Sequence, residues 1–597
     1  VLFYILAKDN EEFCFSPLPS AGLILGGWTR YLSPGLPLEK LLAITAELPD
    51  KKPTVQPVSA QPATPPFSPV LPSAPVINRD FENKLAQKLT KRMKKENMGV
   101  REKVWWQNIS REALPEAFNI EVLQNETIYQ KFLRMAEGRQ LAENEFWIVE
   151  KELGVSTKEL LGFMQKAVQS GNAAWLPIFE QVRSTYFCRR CGSSHYEEWP
   201  SLYGDTYTCL DCREIGPLNS LQILFRLHSV DVVGQTQMDT DKCEPDQTVR
   251  NYSLEFTFAQ EKTAGELWQQ VHRQKAKETL LWAACGAGKT EVCFPLIDSF
   301  LRQNKKVLFA APRQDVVHDV QPRLQKNFLE YNIKILSGAL PQDMEPSKLT
   351  VATTHQVLRF YQAFHLIILD ETDAYPYEGS SVLEYGIRQA LRPDGQIICL
   401  TATPSAKILS RVKSRECTIV RLPARHHGFP VPVPEWQKNR LTGDRSVVKL
   451  KKILLELITD GPILVFVPTV ALVKEWTGVL KTAFGDLCVE GSWSSDAARR
   501  KKTVLFRQGD IDIFVCTSIL ERGITIKGVQ VAVLFADHAL YDARALVQMA
   551  GRTGRSAECP VGRAVFIYAK QTRAMIEANR WIQDQNRLAE EWGCLNG

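Results

Sequence analysis

Five consecutive residues, Gly286, Ala287, Gly288, Lys289 and Thr290, have the types and order needed to hold a phosphate. Successive backbone N–H groups must all point at one anion, and a side chain at Gly286 or Gly288 would push it away. Lys289 supplies a point charge for the β- and γ-phosphates of a nucleotide, and the Thr290 hydroxyl a ligand for Mg²⁺. Cys285 and Glu291 flank the loop, and the pattern G-x-x-x-x-G-K-[ST] is met except at its first position, where Ala283 stands. A Gly-rich turn with a chance Lys-Thr is the plainer reading. It loses ground to an acidic pair downstream, Asp370 and Glu371, which follows the apolar run His365 to Leu369. Paired carboxylates at the tip of a buried strand suit the other half of a nucleotide site. Asp370 would hold Mg²⁺ through its water shell, and Glu371 would orient or deprotonate an attacking water. Gln548, Arg552 and Arg555 belong to QMAGRTGR, where two arginines three apart lie between glycines. That arrangement lets a cleft place a planar cation on a transferring phosphoryl group. Gln260, just before a helical pattern and upstream of the loop, offers an amide donor and acceptor to an adenine edge.

A second chemistry lies upstream. Cys188 and Cys191 form one C-x₂-C knuckle, Cys209 and Cys212 another, separated by residues 192 to 208. This is the spacing of a closed tetrahedral zinc site, with Gly192 permitting the tight turn. Two redox pairs, or simple buried thiols, are the alternatives; His195 lies near the first knuckle but is outvoted by four thiolates. The other ten of the 14 cysteines are scattered, as reduced thiols would be.

The elements that must position these residues follow an α/β rhythm. Apolar runs at Thr279–Ala283, Val307–Ala311, Leu349–Thr353, His365–Leu369 and Ile397–Leu400 alternate with helical patterns, as in a parallel sheet. Thr401 and Thr403 after the last run could tie the phosphate site to a second domain by hydrogen bonds. That domain repeats the alternation with strands at Gly461–Val467, Asp512–Thr517 and Val529–Leu534, and without a second phosphate loop. The resulting organisation is a mixed segment at 1–48, a Pro-rich linker at 49–77, a helical domain at 78–184 and the four-cysteine ribbon at 185–222. A first lobe at 245–425, a second at 440–570 and a C-terminal helix at 571–597 complete it. In the helical domain the tryptophans, Trp105, Trp106, Trp147 and Trp175, are expected in the core. Its first helix carries a basic run from Lys84 to Lys95, a polyanion-binding or merely solvated face. The linker serves as a spacer or as a Pro-rich ligand.

Composition sets wide bounds. Of 597 residues, 44% are hydrophobic and 23% charged, ordinary for a globular chain, and the net charge of +6 permits a polyanion partner without requiring one. No apolar run reaches the roughly 18 residues of a membrane span, and the opening segment lacks the features of a signal peptide, so a cytoplasmic location is expected.

The ordered set FTFAQ, AACGAGKT, DETD, TAT, TSILERGIT and QMAGRTGR resembles superfamily 2 helicases over about residues 250 to 570. CGAGKTE, PRQDVV followed by PRL, and DETDAYPY, together with the ribbon just upstream, narrow the resemblance to the ComFA family, the DNA-uptake ATPases of naturally competent Gram-positive bacteria. Thr372 and Tyr375 depart from the commonest letters of the carboxylate motif, but neither carries metal or water. The resemblance implies two tandem RecA-like lobes, with ATP, Mg²⁺ and Zn²⁺ as cofactors, and hydrolysis of ATP stimulated by single-stranded DNA. The location it implies is peripheral, at the inner face of the cell membrane. The partners it implies are a ComEC-type channel, ComFC-type and DprA-type proteins and a possible homo-oligomer. It also places Gly523 beside the nucleotide. Arg313, Thr354, His355 and Gln356 on the first lobe, with Ser492, Trp493 and Thr517 on the second, are candidates for gripping the strand. Trp493 either stacks a base or packs in the core. A PriA-like replication helicase and a non-processive ATP-driven switch are the rival readings.

Overall fold

The structure is a computed structural model of the 597-residue chain. It describes four N-terminal strands within residues 4–33 and 105–108, single helical positions at 87 and 91, and residues 125–201, 204–227, 254–273, 276–338, 344–518 and 526–596. The linker 49–77, the basic run from Lys84 to Lys95 apart from Lys91, and Gly523 lie outside the described residues. The chain divides into two compact units. One holds residues 1–244, 334–365 and 379–395, the other 245–333, 366–378 and 396–597.

In the first unit, β1 (Tyr4–Lys8), β2 (Phe13–Ser16), β3 (Trp28–Ser33) and β4 (Trp105–Asn108) form an antiparallel sheet in the order β2-β1-β3-β4. β4 falls within the stretch expected to be helical. Helix α1 (Glu126–Ala136) starts where the Asn125 side chain accepts from the Ile128 N–H at 3.2 Å. After β5 (Gln140–Ala142) and α2 (Phe146–Leu153), α3 (Thr157–Gln169) opens on a Ser156/Glu159 capping box. The helices bury Phe132 and Phe163 against Phe225, which lies on a sheet of β5, β6 (Ala173–Pro177) and β12 (Ile223–Leu227). Trp175 joins this core and donates to Gln165 at 2.9 Å, whereas Trp147 is 50% exposed and outside it. Between β6 and β12 come the hairpin β7 (Phe179–Val182) and β8 (Thr185–Cys188) and the sheet of β9 (Tyr196–Ser201), β10 (Gly204–Cys209) and β11 (Leu218–Asn219), which carry the cysteine knuckles.

The second unit begins with α4 (Phe258–His272), β13 (Glu278–Ala283), α5 (Phe294–Arg302), β14 (Val307–Ala311) and α6 (Gln314–Asn327). From residue 334 to 365 the chain belongs to the first unit, with β15 (Ile333–Leu336), β16 (Leu349–Thr353) and α7 (Thr354–Val357); β17 (Phe364–Asp370) returns it to the second, α8 (Ser381–Ala390) lies in the first again, and β18 (Leu391–Thr401), α9 (Ala406–Lys413) and β19 (Cys417–Leu422) lead back into the second. Neighbouring strands run β14-β17-β18-β13-β19, parallel wherever β13 meets β18 and β19 and where β14 meets β17. Their near-continuous apolar runs are what strands covered on both faces require. The second lobe holds β20 (Glu435–Lys438), α10 (Asp444–Ile458), β21 (Ile463–Phe466), α11 (Val470–Ala483), β22 (Val489–Ser492), α12 (Arg499–Gln508) and β23 (Ile513–Cys516). β24 (Gln530–Leu534), α13 (Ala543–Ala550) and β25 (Ala564–Tyr568) complete it, followed by α14 (Arg573–Glu591). Its parallel sheet is ordered β20-β25-β24-β21-β23-β22 around a core that includes Leu454, Val465, Trp476 and Val515.

In such sheets ligands bind beyond the carboxyl ends of the strands. The adjacent ends of β17, β18, β13 and β19 are here Asp370, Thr401, Ala283 and Leu422, with Trp282 in register with Thr401 and Ala283 with Leu422.

Candidate nucleotide site and four-cysteine centre

Beyond β13 the Ala284 N–H donates to Leu422 at 2.8 Å, fixing the start of the loop. Gly286 and Gly288 have φ of +83° and +79°, a region that favours glycine. At Gly288 space adds a second reason, because a Cβ would meet Gln260 Nε2 at 2.5 Å. Gln260 is occupied on both sides of its amide. Its oxygen accepts from the Thr257 N–H at 3.0 Å, capping α4, and its Nε2 donates to the Ala287 carbonyl at 3.0 Å. One N–H and one lone pair remain for anything else. The regular helix expected directly after the loop starts only at Phe294, behind a 3₁₀ turn at Glu291–Cys293. Pro295 has no N–H to give the carbonyl four residues back, so the tighter turn carries the chain into α5.

Lys289 Nζ lies 2.5 Å from Asp370 Oδ1, which also accepts the Glu371 N–H at 2.8 Å. Glu371 has φ of +52°, an uncommon value for a non-glycine residue, held by that hydrogen bond. Burial works to lower the Lys289 pKa, but Asp370, Glu371 and Asp373 outweigh it and the ammonium is held above its ordinary value. Asp373 accepts from the hydroxyls of Thr401 at 2.6 Å and Thr403 at 2.5 Å. Thr403 accepts in turn from Gln548 Nε2 on the second lobe at 3.1 Å. Gln548, Arg552 and Arg555 line the same cleft of about 500 Å³ as Gln260, the loop 285–291, Asp370 and Glu371. Arg552 is 3% exposed, and Arg555 Nε donates to Gly551 at 2.9 Å. A Cβ at Gly551 would come within 2.7 Å of Cys285 Sγ, so the close approach there depends on glycine. The volume, the glycine cradle and the opposed lysine and arginines fit the phosphates of a nucleotide with its Mg²⁺.

Several residues at this cleft were not singled out from the sequence. Arg425, fully buried after β19, donates Nε to the Cys285 carbonyl at 3.0 Å. It also donates Nη1 to Thr553 and Gly554 at 2.9 and 2.7 Å, and Nη2 to Gly551 at 3.4 Å. Burial pulls its pKa down to about 10. His427 donates to Gly554 at 2.9 Å, and Arg323 pairs with Glu291 at 2.7 Å. Glu378 pairs with Arg544 across the lobes. Arg-His-His after an apolar run was the signal for Arg425 and His427, and Arg323 is the arginine of the PRL motif.

The strand-grip candidates differ in what holds each of them. Arg313 precedes α6 and is paired with Asp315 at 2.7 Å. Thr354 and Gln356 are buried, Gln356 donating to the Gly338 carbonyl, while His355 Nε2 is 3.1 Å from Glu214. Ser492 is buried; Trp493 packs partly on the second-lobe core with Lys474 Nζ 5.2 Å from its ring centroid, and Thr517 is half-buried.

The four cysteine sulfurs lie within 4.8 Å of one another, all buried. Cys188 and Cys212 are 3.8 Å apart, Cys191 and Cys209 3.5 Å. A tetrahedral site with Zn–S of about 2.3 Å has sulfur edges of about 3.8 Å, so the donor set fits zinc. His195 stands outside this set, its ring 3.5 Å from Asp211. The fully buried Arg190, between the first two cysteines, has Nε and Nη1 without a hydrogen-bond partner. Burial lowers its pKa, and the four sulfurs oppose that, as expected of a cation beside a thiolate cluster.

Residues 253–406 match the family model for the res subunit of type III restriction enzymes, and 446–557 that for the helicase conserved C-terminal domain. The chain is 32% identical over 419 residues to competence protein ComFA of Bacillus subtilis (strain 168), covering 69% of this chain and 88% of that protein. It is 32% identical over 461 residues to competence protein ComFA of Streptococcus pneumoniae (strain ATCC BAA-255 / R6), covering 76% and 98%. The Mycobacterium smegmatis helicase Lhr bound to ssDNA and AMP-PNP aligns at 17% identity and a TM-score of 0.43, over 56% of this chain and 50% of that one.

Proposed function

The chain belongs to the ComFA family of competence-associated helicase-type ATPases, and from that premise we propose that it hydrolyses ATP to translocate single-stranded DNA during uptake of transforming DNA. The observation that carries the reading is the shared cleft, with Lys289, Asp370 and Glu371 on one lobe and Gln548, Arg552 and Arg555 on the other. In this proposal the 286–290 backbone and Lys289 bind the phosphates, and Lys289 leaves Asp370 for them. Glu371 accepts a proton from the attacking water, and Arg552 and Arg555 stabilise charge on the transferring oxygens. Thr290 and Asp370 would hold Mg²⁺, which supplies charge neutralisation at the phosphates. Gln548 senses the carboxylate motif through Thr403 and Asp373, so that hydrolysis changes the fit between lobes.

Strand contacts are assigned to Arg313, Thr354, His355, Gln356, Trp493 and Thr517, and zinc to the four cysteines. A ComEC-type channel and ComFC-type and DprA-type proteins are the proposed partners, at the inner face of the membrane; among the described residues no helix is long and apolar enough to cross one. The test is displacement of streptavidin from biotinylated single strands with ATP, and Lys289→Ala as the inactive control. Displacement that needs ATP and Lys289 supports the translocase. DNA-stimulated hydrolysis without displacement refutes it in favour of the non-processive switch.

A further inference from the structure

The cysteine centre is joined to α7 by a buried chain of charges. Arg190 Nη2 donates to Glu145 Oε1 at 2.9 Å, and the same carboxylate pairs with Arg359. Arg359 Nε donates to the Gln356 side chain at 2.9 Å, and its Nη2 to the Ile215 carbonyl at 3.0 Å. Ile215 is itself bonded back to the metal-ligating position, its N–H donating to the Cys212 carbonyl at 3.2 Å. Beside it, Glu214 faces His355. Arg190, Glu145 and Arg359 are all less than 5% exposed.

Charge counting gives this chain a direction. One carboxylate between two buried guanidiniums leaves a net positive charge in the interior, which is costly unless another anion compensates. Zn²⁺ with four thiolates carries a formal charge of −2, and the cation adjacent to it is Arg190. Loss of the metal releases the two knuckles, and with them the positions of Arg190, which holds Glu145, and of Ile215, whose carbonyl holds Arg359. The disturbance reaches Arg359 along both branches, and Arg359 is the residue that fixes Gln356 at the end of α7.

We propose that metal retention at the four-cysteine centre and strand binding at α7 are thermodynamically coupled through Arg190, Glu145 and Arg359, with Glu145 as the positioning residue. The proposal rests on the assignment of His355 and Gln356 to the strand. Coupling is reciprocal, so a strand bound at α7 must tighten zinc.

The experiment titrates the zinc-loaded full chain with a chelator, with and without saturating oligo(dT), and reads the midpoint of zinc loss. The expected result is a midpoint raised about tenfold by oligo(dT), inside the usual range for coupled sites. In Glu145→Gln, purified with its zinc, the shift disappears, oligo(dT) binds about tenfold more weakly and basal ATP hydrolysis is unchanged. Glu214→Gln, at a side chain 74% exposed, reduces the shift in a variant whose folding is not in question. Equal wild-type midpoints overturn the proposal. So does a shift that survives in both variants, because the strand then merely shields the metal. His355→Ala and Gln356→Ala separate the two readings. If they weaken oligo(dT) binding while the midpoints never move, only the coupling falls. If they bind as the wild type does, the strand assignment falls with it.

Discussion

Arg425→Met is the perturbation that most directly probes the seam between the lobes. The guanidinium serves carbonyls on both sides: Cys285 in the phosphate loop, and Gly551, Thr553 and Gly554 in the arginine loop. A hydrogen bond from a charged donor contributes about 1.5–3 kcal/mol net. Arg425 ends the first lobe, so the bonds to Gly551, Thr553 and Gly554 are the ones that cross the seam, and closure of the cleft loses at least one such bond. At about 1.4 kcal/mol per decade that is a fall in kcat/KM for ATP of roughly 10- to 150-fold. The carbonyls of Cys285, Gly551, Thr553 and Gly554 are also left without this donor, and a lower melting temperature accompanies the kinetic defect. Arg425→Lys keeps the charge but not the planar fork, so it can serve one side of the seam and falls between wild type and Met. The assay is steady-state hydrolysis with oligo(dT) alongside equilibrium binding of a fluorescent nucleotide. Both variants within twofold of wild type in kcat/KM would show that the linker arginine is packing only, and the account of how the lobes are held would be wrong.

Glu371→Gln is expected to bind ATP normally and to hydrolyse it about 10²- to 10⁴-fold more slowly; normal single-turnover rates would remove Glu371 from the water-activating role. Metal analysis is expected to find about one zinc per chain, and Cys209→Ser to lose it together with the protease resistance of residues 178–227, because metal binding at such sites is folding free energy. His427 gives the pH dependence. Burial, with His426 and Arg425 adding, lowers its pKa although the Gly554 carbonyl opposes this. The folded state therefore favours the neutral ring, whose contribution is present above the unfolded value of about 6.5 and is lost as pH falls below it. Thermal melting from pH 7.5 to 5.5 should show that decline, and an identical decline in His427→Gln would assign it to other groups.

What could be read in the sequence, and what could not, divides along one physical line. The strands β14 and β16 stand on the very residues marked by their apolar runs, and β13, β17, β21 and β24 within a residue or two, because a strand buried on both faces must be apolar throughout. The glycines with φ near +80° and the C-x₂-C knuckles were legible for similar reasons: each local geometry admits few residue types. β15, β20 and β22 escaped because four residues at the edge of a sheet, with mixed burial, carry no periodic signal. The 3₁₀ turn before α5 needed the position of Pro295 to be weighed against a helical pattern.

The buried arginines are the harder case. Arg190, Arg359 and Arg425 read as surface residues on composition, since arginine is almost never fully buried unless paired. Their partners are Glu145, Ile215 and the carbonyls of residues 551–554, from 45 positions away for Arg190 and Glu145 to 214 for Arg359 and the same carboxylate. No spacing rule reaches that far. The elements with the strongest local patterns, the phosphate loop, the carboxylate strand and the knuckles, are therefore held by residues with no local pattern at all. If that division is real, substitutions at Arg425 and Glu145 should disturb communication between sites more than the chemistry within either. Arg425→Met would lower the DNA-stimulated rate more than the basal one, and Glu145→Gln would leave the basal rate untouched. An equal loss of basal and stimulated turnover in Arg425→Met would mean that this arginine belongs to the nucleotide site itself.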